Sequence, residues 1–61
     1  MMRFIFTFAY VGGTIVLDGE CKSVDLVAAY RATEDRAESI AGGDVKMTGS
    51  RVSLVRRGVA A

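Results

Sequence analysis

Residues 3–19 read RFIFTFAYVGGTIVLDG, and the class of the chain turns on this stretch. A membrane helix needs about 20 apolar residues. Here Arg3 and Asp18 bracket a shorter run, interrupted by Gly12-Gly13. A secretory leader needs a small-residue cleavage site after its apolar region, and none stands out before Asp18. Periodicity decides the matter. Phe4, Phe6, Phe8 and Tyr10 recur at a spacing of two, the spacing at which side chains share one face of a strand. Phe, Ile, Thr, Tyr and Val are also the residues enriched in strands. The stretch therefore predicts a hairpin with Gly12-Gly13 as its two-residue loop, because primed turns need the positive φ that glycine tolerates. That register pairs Tyr10 with Ile15, Phe8 with Leu17, Phe6 with Gly19 and Phe4 with Cys21. One face collects Phe4, Phe6, Phe8, Tyr10, Ile15, Leu17 and Cys21. The other collects Arg3, Ile5, Thr7, Ala9, Val11, Thr14, Val16, Asp18 and Glu20. A tight turn at Asp18-Gly19, shortening the second strand, is the competing reading.

Downstream, Ser23 is a good N-cap, with Asp25 in the first turn of the helix that follows. Leu26, Val27, Tyr30, Ala37, Ile40 and Ala41 form its apolar stripe. Arg31 and Asp35, four apart, are placed to pair. Gly42 suits a left-handed helix end. The stretch DVKMTGSRVSLVRR then reads as a second hairpin around Gly49-Ser50, with Val45, Met47, Val52 and Leu54 on its apolar face. The expected fold is α+β: a single ββαββ domain over residues 1–61, with 57–61 frayed. Its sheet is four-stranded and antiparallel, in the order 2-1-3-4, with one helix packed on one face. The expected core is Phe6, Phe8, Tyr10, Leu17, Leu26, Tyr30, Ile40, Val45, Met47, Val52 and Leu54.

The chain has 61 residues, one cysteine and no histidine. So short a chain buries little surface, and such domains lean on disulfides, metals or association. Cys21 alone cannot close an intrachain disulfide, and its lone occurrence fits a reducing cytoplasm. A zinc site lacks ligands. Association is the support that remains, so a homodimer is expected. The formal net charge of +1 hides an asymmetry: the last third is basic through Lys46, Arg51, Arg56 and Arg57.

Catalytic chemistry finds no footing. There is no histidine base, Cys21 has nothing to activate it, and Ser23 and Ser39 have no triad partners. The glycine pairs do not form a phosphate loop. Glu34 and Glu38, one turn apart, read as a solvated face. No catalytic, metal or cofactor site is expected. Two readings survive. The first is a protein-binding module of inhibitor type, working through the sheet face at Ile5, Val11, Val16 and Val55. The second is a nucleic-acid binder that tracks phosphates with Lys46, Arg51, Arg56 and Arg57, on a hairpin that carries no aromatic platform.

FTFAYVGGTIVLDG followed by KSVDLVAAY and closing with VSLVRR resembles small orphan proteins of actinobacterial phages and mobile elements. The resemblance spans roughly residues 4–57, with a shorter first loop in this chain. It implies an origin and no activity: a phage or mobile-element accessory protein. Chains of that size often inhibit host machinery, including CRISPR and other defence systems.

Overall fold

The computed structural model describes residues 1–55. Strand β1 spans Met2–Tyr10 and β2 spans Gly13–Cys21. A 3-10 turn at Ser23–Asp25 leads into helix α1, Leu26–Ala41, and β3 spans Lys46–Leu54. The fold is α+β, with a three-stranded antiparallel sheet in the order β2-β1-β3. Both neighbours run antiparallel to β1, so β2 and β3 run parallel to each other across it, and α1 makes the crossover.

The first hairpin forms, two residues out of the expected register. Phe8 pairs with Ile15, Phe6 with Leu17, Phe4 with Gly19 and Met2 with Cys21. Tyr10 pairs with Gly13, which leaves Val11-Gly12 as the loop. A two-residue shift returns every side chain to the same face, so alternation cannot distinguish the two registers. The observed one pairs all nine residues of β1 and sets buried Phe8 against buried Ile15. The positive φ falls on Gly13, at +145°.

The expected second hairpin, and with it the fourth strand and the order 2-1-3-4, is not found among the described residues. Gly49 and Ser50 lie inside the single strand β3. Phe8 pairs with Met47, whereas Thr7 pairs with Gly49, so Thr48 is the extra residue of a bulge. The Thr48 hydroxyl donates to the Thr7 carbonyl at 3.5 Å. A bulge slips the side-chain phase by one. It therefore places Met47, Val52 and Leu54 on one face as a hairpin would, and the sequence pattern fits both.

The core is Phe4, Phe6, Phe8, Ile15 and Ala37, with Tyr10, Leu17, Leu26, Tyr30, Val45 and Met47 packed around it. Phe4 stacks on Phe6 with ring centroids 4.8 Å apart, and Phe6 meets Tyr30 edge-on at 5.6 Å. Helix α1 packs over β1 and β2. Buried Thr33 donates its hydroxyl to the Ala29 carbonyl at 2.7 Å, so its burial leaves no unmet polar group. Three expected core residues are exposed: Ile40 at 58%, Val52 at 42% and Leu54 at 66%. One helix spans two strands, and the inner positions Ser50, Val52 and Leu54 of β3 lie beyond it, whereas Met47 still reaches the core. Val27, expected on the buried stripe, is exposed as well. Ser23 opens the 3-10 turn instead of capping α1, whose N-cap is Asp25 without a side-chain bond. Gly42 is left-handed at φ 76°, and its N–H donates to the Glu38 carbonyl at 2.8 Å. Arg31 and Asp35 do not pair; the ion pair among the described residues is Arg3–Asp18 at 3.3 Å.

Candidate functional site

Because Phe4, Phe6 and Phe8 point under the helix, the alternate residues of β1 point to the uncovered face of the sheet. The strand registers align that face in rows. Glu20, Arg3 and Ser53 form the first. Asp18, Ile5 and Arg51 form the second, Val16, Thr7 and Gly49 the third, and Thr14, Ala9 and Lys46 the fourth. The centre is apolar or small. The acids stand on β2, with Arg3 drawn onto Asp18, and the bases Lys46 and Arg51 stand on β3, neither in an ion pair among the described residues. Around Gly49 the face dips into a shallow groove of about 290 Å3, lined by Ile5, Thr7, Gly49, Ser50 and Arg51. Beside it, across Thr7, stands Val16, 60% exposed.

Of the expected partner-binding residues, the structure brings Ile5 and Val16 together on this face. Val11 sits in the β1–β2 loop, fully exposed. Val55 lies at the opposite end, where its N–H donates to the Met1 carbonyl at 3.0 Å. Lys46 and Arg51 share the open face, two rows apart, while Arg56 and Arg57 lie outside the described residues, as does the expected frayed end at 57–61. The open face carries Asp18 and Glu20 alongside these bases, and no aromatic side chain lies in its rows. Gly49 was legible only as a turn residue; its role as the floor of a groove depends on the strand that holds it.

The second feature is the outer edge of β3. One side of this strand pairs with β1, and no strand among the described residues pairs with the other. Its inward positions Ser50, Val52 and Leu54 are exposed, because α1 does not reach them. The β2 edge differs: its inward positions Ile15 and Leu17 pack in the core.

Elsewhere, Cys21 is half-buried against the core. Tyr30 donates its hydroxyl to Glu34 Oε2 at 3.2 Å. That hydrogen bond, then burial, then the negative charge of Glu34 raise the Tyr30 phenol above its ordinary value. Among the described residues no group of three or more acidic, cysteine or histidine side chains could hold a metal ion, and no helix is long and apolar enough to cross a membrane.

No family model matches the chain, and neither a curated protein nor a solved structure matches it.

Proposed function

We propose that this chain is a small non-enzymatic protein-binding module, a cytoplasmic accessory protein of a phage or mobile element that inhibits a host protein complex, of an anti-defence or anti-CRISPR kind. The observation that supports it is the uncovered edge of β3. An unpaired strand edge presents backbone N–H and C=O groups that a partner strand can complete, and alternate side chains supply selectivity. Here the protective features lie toward the start of the strand, with Lys46 and the bulge at Thr48. The segment Ser50–Leu54 is regular and offers Val52 and Leu54 on one side. The origin in a mobile element rests on the resemblance of the strand and helix motifs. The acids that share the open face with Lys46 and Arg51 weigh against phosphate tracking as the alternative.

Affinity capture from an actinobacterial host lysate tests this reading, comparing wild type with the double variant Val52→Lys, Leu54→Lys. Both positions are exposed, so the fold survives the change. A host protein retained by wild type and lost from the variant is expected. Equal retention by both, or no specific retention, would overturn it.

A further inference from the structure

The open face is also complementary to itself, and we infer that two copies of the chain pack through it about a two-fold axis parallel to β1. The inference is independent of the β3-edge reading and uses the other surface of the sheet.

The argument starts from the rows. Acid lies on β2 and base on β3, at equal heights: Asp18 and Arg51 both flank Ile5. A two-fold axis along the strands, through the middle of the face, lays β2 of one copy over β3 of the other and keeps each row opposite the same row. Asp18 then meets Arg51 of the second copy, twice by symmetry. A two-fold axis across the strands instead lays β2 on β2 with the rows reversed, so that Asp18 faces Val16 and no acid faces a base. The charge pattern therefore selects one of the two arrangements. Arg51 forms no ion pair among the described residues. Asp18, held by Arg3 at 3.3 Å, keeps a second oxygen for a second guanidinium.

Shape selects the same arrangement. In the Thr7 row, Val16 stands out on β2 while Gly49 supplies no side chain on β3. The strand-parallel axis places each Val16 over the second copy's Gly49, at the groove of about 290 Å3. Along the axis Ile5 then meets Ile5, Thr7 meets Thr7, and Arg3 comes near Arg3, each Arg3 being drawn aside onto the Asp18 of its own chain. Two sheets stacked this way, about 10 Å apart with strands within roughly 30°, follow the usual aligned packing. Three strands of nine residues give a face of roughly 14 by 30 Å, below the size of a stable interface and in the range of weak ones. The dimer is thus concentration-dependent.

Sedimentation of the full chain from low micromolar to millimolar concentration tests it. Wild type shifts from monomer to dimer across that range. Asp18→Arg and Arg51→Asp, each alone, weaken dimerisation by about tenfold or more through like-charge contact. Mixing these two single variants restores association as a heterodimer, because both crossed contacts become complementary. Both side chains are exposed, and circular dichroism of each variant verifies its fold. Wild type monomeric throughout, single variants that dimerise like wild type, or a mixture that stays monomeric would each overturn the inference. A monomer that still captures its host protein through Val52 and Leu54 would remove the dimer and leave the edge reading standing.

Discussion

The far end of the Phe4 ring stands against Gly19, so close that a Cβ added there would lie 2.7 Å from Phe4 Cζ. The ring cannot swing away freely. It is buried and stacked on Phe6. Gly19→Ala is expected to destabilise by about 1–3 kcal/mol through overpacking. Gly43→Ala, where nothing lies within 4 Å and φ is not positive, is the control and should be neutral or slightly stabilising. Urea denaturation of both variants decides it. Equal midpoints would show that the ring yields.

Phe8 is fully buried between its cross-strand neighbours Ile15 and Met47. Phe8→Ala should cost about 3–5 kcal/mol. A domain of this size has little stability beyond that. The variant is expected to show no cooperative thermal transition, read by far-ultraviolet circular dichroism. A wild-type-like transition would mean that the aromatic row is not the centre of the core.

The bulge gives a prediction that separates one continuous strand from a hairpin. In β3, Gly49 is extended, and an added Cβ would sit 3.8 Å from Thr7 Cβ, an ordinary contact. Gly49→Thr should therefore be neutral or stabilise by up to about 1 kcal/mol, as a β-branched residue replaces glycine within a strand. The measurement belongs at low micromolar concentration, below self-association. At the first position of a type II′ loop the same change would be destabilising.

Tyr30 carries the pH dependence. Its hydroxyl donates to Glu34, which raises its pKa from the ordinary 10.0. A folded-state pKa above the unfolded one means that the contribution is fully present below about pH 10 and is lost as pH rises through the folded value. In a Tyr10→Phe background, the ultraviolet titration of Tyr30 should move back toward 10.0 on Glu34→Ala. An unchanged midpoint would remove Glu34 as the cause.

Local spacing alone tells which side chains share a face. The spacing of Phe4, Phe6, Phe8 and Tyr10 settled the strand, and Gly42 marked the helix end, because both signals are local. Rows of large apolar residues opposite rows of charge were readable for the same reason. Where those faces go depends on contacts between distant parts of the chain. The slip from Val45 and Met47 to Val52 and Leu54 fits a hairpin and a bulge equally, since each shifts the alternation by one. Pairing of the whole of β3 with β1, more than forty residues away along the chain for most pairs, selects the bulge. The hairpin register was ambiguous by two residues for a similar reason: a period of two is blind to such a shift. Coverage was the last undetermined quantity. A single helix of 16 residues over β1 and β2 buries Ala37 and Thr33 and leaves Ile40, Val52 and Leu54 in solvent. Apolar patterning reports that a residue is fit for burial. Only the placement of the helix determines whether something lies above it.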